Sequence, residues 1–96
     1  VEIGLVKVEN VDMLNKLEVL PNPTADHAFL NVEFDYAVDL EILLIDGTGK
    51  LLDSYREQQI QQLAHRMDMR TYPNGIYFVQ INYDNYTLSY KLVVNH

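Results

Sequence analysis

One segment of this chain admits a single strand pairing. Asp84-Asn85 is a two-residue turn built from types that tolerate positive φ. With that turn, Tyr83 faces Tyr86, Ile81 faces Leu88, Val79 faces Tyr90 and Tyr77 faces Leu92. All of these large apolar side chains then share one face. The other face carries Gln80, Asn82, Thr87, Ser89 and Lys91. A slip of one residue would exchange the two sets, so the pattern itself specifies the register.

The rest of the chain is read outward from this hairpin. Residues 17–20 form a short strand, ended by Pro21 and Pro23, which lack an N–H and fix φ. Asn22, before Pro23, is pushed to an extended conformation. Residues 28–34 alternate, with Leu30, Val32 and Phe34 on one face and Asn31 and Glu33 on the other. Tyr36 and Ala37 lie in a bend. Residues 38–45 alternate again, with Val38, Leu40, Ile42 and Leu44 on one face. Leu43 and Ile45 break the polar face, which predicts that another segment covers that end. Asp46-Gly47-Thr48-Gly49-Lys50 is a hairpin loop. A strand over 51–55 follows, then a Gln-rich stretch over 56–62 that reads as a loop or a short helical turn. Residues 63–69 form a strand with Leu63, Met67 and Met69 inward, and Tyr72-Pro73-Asn74-Gly75 is a turn.

About seven short strands with turn signals between them, and no amphipathic helix, predict an all-β fold. The expected architecture is a small antiparallel β-sandwich of immunoglobulin-like type. Residues 1–16 read as a linker, in which Ile3, Leu5 and Val8 allow a short strand or one amphipathic turn. Residues 17–96 form the domain.

The 96 residues make one domain, which buries roughly 60–65% of its unfolded surface. That supports one two-layer core and leaves little room for a deep cleft. Fourteen acidic against seven basic residues give a net charge of −7. Such a surface repels nucleic-acid phosphates and anionic membranes. The chain has no Cys, so neither a disulfide nor a thiolate contributes. No stretch approaches the roughly 20 apolar residues of a membrane span. The first residues lack the basic and apolar regions of a signal peptide. An exported parent would carry its signal far upstream, and the chain would then read as an excised C-terminal fragment.

Patterns that suggest chemistry have simpler explanations. Gly47-Thr48-Gly49-Lys50 resembles a phosphate loop, but Leu44 stands at its first glycine position and Leu51 follows the lysine. Asp46, Gly47 and Asp53 lack the spacing of a calcium loop. His27, His65 and His96 share no metal-ligand spacing, and no metal or cofactor is expected. Ser54 and Ser89 sit in no nucleophile elbow. Asp39 and Glu41 lie on one strand face, roughly 7 Å apart at a rise of about 3.3 Å per residue, which touches the range of an inverting glycosidase. A solvated face without a cleft leaves such a pair inert, and no catalytic residue is assigned. Tyr77, Tyr83, Tyr86 and Tyr90 face inward as core, while Phe29, Tyr36 and Phe78 are the aromatics available for an exposed patch. Asn85-Tyr86-Thr87 matches a glycosylation sequon by chance.

Three blocks, in this order, resemble a known family. The first is Leu20-Pro21-Asn22-Pro23-Thr24 followed by the strand over 28–34. The second is the D-x-x-G-K hairpin of Asp46, Gly49 and Lys50. The third runs from Asp68-Met69 through Gly75-Ile76-Tyr77-Phe78-Val79 to Lys91-Leu92-Val93-Val94. Together they resemble the type A C-terminal sorting domain of the type IX (Por) secretion system, over residues 17–94. The resemblance implies a secretion signal that takes a cargo from the periplasm through the outer-membrane translocon. The cargo then reaches the cell surface or the medium. It implies cleavage by a sortase-like surface protease before residue 17, near Gly4, and attachment of the cargo to anionic lipopolysaccharide. The domain would be a substrate and not an enzyme. The expected recognition surface is Gly75, Ile76, Tyr77 and Phe78 with Lys91, Leu92, Val93 and Val94, offered as a strand edge. A monomer or a weak edge-strand dimer is expected. The family commonly ends on a basic residue, and this chain departs from that with Val94-Asn95-His96. Two other readings stay open. One is a carbohydrate-binding or adhesion module of a secreted enzyme, and the other an inert spacer domain.

Overall fold

The computed structural model describes residues 14–96, and every described element is a strand. The strands are β1 (Leu14–Leu20), β2 (His27–Asp46), β3 (Leu51–Asp68), β4 (Gly75–Tyr83) and β5 (Tyr86–Val94). They form one antiparallel sheet in the order β1-β2-β4-β5, with β3 pairing along the other edge of β2. The all-β expectation holds, and so does the register of the last hairpin. Tyr83 pairs with Tyr86, Ile81 with Leu88, Val79 with Tyr90 and Tyr77 with Leu92. Asp84 takes the positive φ, at 51°, that the turn requires.

The strand count differs from expectation, at five among the described residues. The stretches over 28–34 and 38–45 are one strand, β2. Those over 51–55 and 63–69 are likewise one strand, β3, which ends at Asp68. The Gln-rich stretch is thus neither a loop nor a helical turn. It is the middle of β3, paired with β2 through Glu33↔Gln62, Val38↔Ile60 and Leu40↔Glu57. The ladder is interrupted between Glu33 and Val38, and residues 35–37 are exposed there. This is where Tyr36 and Ala37 bend, within a continuous strand. On the β3 side Gln59 takes the turn with φ 53°, and its N–H donates to Asp39 Oδ1 at 3.0 Å. Extra residues that bend a strand in this way are bulges.

The bend lets β2 serve two sets of neighbours. Its first half pairs with β1 and its second half, from Leu40 to Asp46, with β4. Side-chain parity survives the bend. Ala28, Leu30, Val32, Phe34, Val38, Leu40, Ile42 and Leu44 are all buried. One face of β2 therefore lines the whole core, and the sheet curls around it. Phe34 from the first half meets Tyr83 of β4 edge-on, with ring centroids 4.8 Å apart. Val19, Met67, Met69, Val79, Ile81, Leu92 and Val94 complete the core. Burying a side chain of this size contributes about 1.5–3 kcal/mol. The Tyr83 hydroxyl is buried without a protein partner, and burial pushes its pKa up to about 12.

The connection over residues 21–26 closes the curl against β5. Thr24 is buried and makes a parallel bridge to Val94. Its N–H donates to the Val93 carbonyl at 2.8 Å, and its carbonyl accepts from Asn95 N–H at 2.9 Å. The Asn22 amide acts as one more strand residue. Its Nδ2 donates to the Lys91 carbonyl at 2.7 Å, and its Oδ1 accepts from Val93 N–H at 2.9 Å. Both adjacent prolyl bonds, Leu20–Pro21 and Asn22–Pro23, are cis. Strand β1 begins at Leu14, three residues before the expected domain boundary. The remainder of the expected linker, residues 1–13 with Ile3, Gly4, Leu5 and Val8, lies outside the described residues.

Candidate recognition surface

The same parity that builds the core sets the opposite face outward. Cross-strand partners point to the same side of a sheet. In the half of the sheet formed by β3, β2, β4 and β5, one outward row runs Leu51, Ile45, Phe78 and Lys91. The next row toward the sheet end pairs Ile76 with Val93. On the other side, Leu43 stands between Ser54 and Gln80. Leu51 and Ile76 are 54% and 48% exposed, and Ile45, Phe78, Leu43 and Val93 are half-buried. Leu43 and Ile45 are thus not covered by another described segment. They belong to an open apolar patch.

The far end of this face is polar and tied together. Glu41 Oε2 pairs with Arg56 Nη2 at 3.1 Å, and Glu41 Oε1 accepts from Asn82 Nδ2 at 3.0 Å. These bonds, Asn82 first and then Arg56, hold the Glu41 carboxyl below its usual range. Asp39 accepts from Gln59 at 3.0 and 3.2 Å. Both carboxylates of the glycosidase-like spacing therefore already accept hydrogen bonds from neighbouring groups of the same sheet.

The hairpin turn at the apolar end is built by Asp46. Its Oδ1 accepts from Thr48 N–H at 2.9 Å, Thr48 Oγ1 at 2.7 Å and Lys50 N–H at 3.0 Å. The Thr48 hydroxyl and the Lys50 amide lead in holding the Asp46 carboxyl below its usual range. Gly49 takes φ 93°, and a Cβ at Gly47 would stand 3.2 Å from the Ile76 carbonyl oxygen. The D-x-x-G-K pattern is therefore a turn that closes itself and packs on the start of β4. It presents no helix N-terminus to a phosphate.

The residues expected to form the recognition surface divide by parity. Ile76, Phe78, Lys91 and Val93 share the outward face, and Gly75 opens β4 beside them. Tyr77, Leu92 and Val94 are buried on the core side. Tyr77 is further anchored by its hydroxyl, which donates to the Pro73 carbonyl at 2.6 Å. The β5 edge over residues 91–95 is occupied by Asn22 and Thr24. Pro21, Asn22 and Pro23 thus act on the edge, whereas Asp46, Gly49 and Lys50 act beside the outward patch.

One cluster was invisible to sequence spacing. Asp26, His27 and Asp68 bring oxygen and nitrogen ligand atoms within 4.8 Å of one another. Two guanidinium groups already serve it. Arg70 donates to Asp68 at 2.7 and 3.0 Å and lies 3.6 Å from Asp26 Oδ1. Arg66 Nη2 donates to His27 Nε2 at 2.7 Å. With two cations in place, this is an ion-pair network joining the ends of β2 and β3, and it shares no side chain with the patch. The exposed aromatics are scattered. Phe29 pairs with Leu20 on the first half of the sheet, Tyr36 marks the bend, and Tyr55 stacks on His65 with ring centroids 4.4 Å apart.

A family model described as "Secretion system C-terminal sorting domain" matches residues 18–95. The chain belongs to the secretion system C-terminal sorting domain family. It is thus a C-terminal sorting signal of type IX secretion cargo, recognised by that secretion machinery. Such a signal directs its cargo across the outer membrane toward the cell surface or the extracellular space. The family's role is sorting and not catalysis. Comparison with curated proteins gave no match. In this sorting domain the match spans β2 to β5 and the last three residues of β1, so both the sealed edge and the outward patch fall inside it.

Proposed function

We propose that the type IX translocon reads this sorting domain through the apolar end of its outward face. That surface comprises Leu43, Ile45, Leu51, Ile76, Phe78 and Val93, with Lys91 at its margin. The observation that carries the reading is a set of apolar side chains in three adjacent outward rows of β2, β3, β4 and β5, left open in a very acidic domain. A contiguous apolar patch rimmed by polar groups marks a partner surface. We read the curl itself as a two-layer immunoglobulin-like sandwich. Strands β2 and β3 each serve both layers, so five continuous strands fill seven strand positions.

In this account the domain has no activity of its own and takes no cofactor. It passes through the periplasm attached to its cargo. A sortase-like surface protease cuts ahead of residue 17, within the linker, and the cargo is anchored at the outer-membrane surface. The free domain is a monomer, because the β5 edge that would pair with a second copy is partly filled.

Deleting residues 91–96 is a poor test, since it removes Leu92 and Val94 from the core. A photo-reactive residue keeps the fold. Placed at Phe78 in a reporter fusion in a type IX-competent host, it is expected to cross-link to an outer-membrane translocon subunit. Placed at Thr87, on the polar end of the same face, it is expected to give little cross-link. Equal yields from both positions on an exported fusion would place recognition elsewhere.

A further inference from the structure

The end of β5 is held by more than its sheet bonds. Asn95 N–H donates to the Thr24 carbonyl at 2.9 Å, and His96 N–H donates to Asn74 Oδ1 at 2.8 Å. The His96 ring lies between two main-chain carbonyl oxygens. Nδ1 is 2.8 Å from that of Ala25, and Nε2 is 2.8 Å from that of Tyr72. A carbonyl oxygen only accepts, and a neutral imidazole carries a single N–H. The neutral ring therefore serves one carbonyl and turns a lone pair toward the other. The imidazolium serves both.

We infer that His96 is a protonation-dependent latch, tying the connections over residues 21–26 and 69–74 to the end of β5 while its ring is cationic. Loss of the proton releases one of the two connections and loosens residues 95–96. Asn22 and Thr24 keep the strand itself in place, so the device acts on residues 95–96 and the two loops and not on the core.

The surrounding charges favour the cation. Asp26, in the first connection, attracts it. Arg70, in the second, opposes it, but its guanidinium is drawn to Asp26 at 3.6 Å and to Asp68 at 2.7 Å. The carbonyls of Tyr72 and Ala25, in that order, hold the imidazole pKa above its ordinary value, with Asp26 adding to them and desolvation opposing. A group whose folded pKa is raised contributes fully below its unfolded pKa. That contribution is lost as pH rises through the folded value. The latch is closed in mild acid and opens on the alkaline side.

The test uses the full chain. Ring nitrogen shifts of His96, and exchange protection of the Asn95 and His96 amides corrected for intrinsic rates, are followed by NMR from about pH 5 to about pH 8. The ring is expected to titrate above the ordinary histidine value, with both nitrogens protonated and hydrogen-bonded in the acid form. Amide protection is expected to fall severalfold along the same curve. In His96→Gln, the protection is expected to be low and independent of pH. Protection in the unaltered chain that stays constant through the His96 titration, or a ring that titrates at or below the ordinary value, would overturn the latch.

Discussion

A single residue fixes the hairpin turn between β2 and β3. Asp46 gathers three donors from its own hairpin onto one carboxylate oxygen. Its folded pKa is lowered, so its contribution is present above the unfolded carboxylate value and lost as pH falls through the folded one. Asp46→Ala is expected to lower the thermal midpoint at neutral pH. The gap to the unaltered chain is expected to narrow as the solution is taken into the acid range. A gap independent of pH would mean that the carboxylate charge has no part in closing the turn. The hairpin itself was legible in the sequence, because Asp and Gly at those spacings have local reasons to turn. The double engagement of His96 was not, because its partners are main-chain oxygens more than twenty and more than seventy residues away in sequence.

At the scale of elements, legibility followed side-chain pattern. The β4–β5 hairpin was readable because one face is apolar and the other polar, and the register came out as the alternation demanded. The middle of β3 was not readable. It lies on the edge of the sheet, most of its side chains over 56–62 are solvated, and its backbone ladder and polar contacts to β2 make it a strand. A strand that buries neither face leaves no period of two to find. Its glutamines and the Gln59 bulge also suit an edge that must not pair further. The β5 edge is protected differently, by Asn22 and the buried Thr24. Thr24 Oγ1 donates to the His27 carbonyl at 2.6 Å and accepts from Asp26 N–H at 3.2 Å. Thr24→Val keeps the shape and strands those partners, at a cost of about 1–3 kcal/mol. Urea unfolding measures this directly. No loss of stability would mean that the bridge to Val94 alone seals the edge.

At the scale of the whole molecule, one parity rule divides the labour. The inward residues of β2, β4 and β5 make the core that a small domain needs. The outward residues at one end make an apolar surface that the core does not need. The sequence showed both ends of this division without joining them. Leu43 and Ile45 stood out as breaks in a polar face, and Ile76 and Phe78 as parts of a family block. Their meeting in three adjacent rows with Leu51 required the register between β2, β3 and β4, which no local pattern encodes. The most direct measurement is export of a folded reporter carrying this sorting domain in a type IX-competent host. It compares the unaltered domain with Ile76→Thr/Phe78→Thr and with Asn82→Thr, each checked for an unchanged fold by circular dichroism. The account predicts that the Ile76/Phe78 variant stays folded and is retained, while the unaltered and Asn82 fusions are exported. Export of the folded Ile76/Phe78 variant at the unaltered level would contradict it.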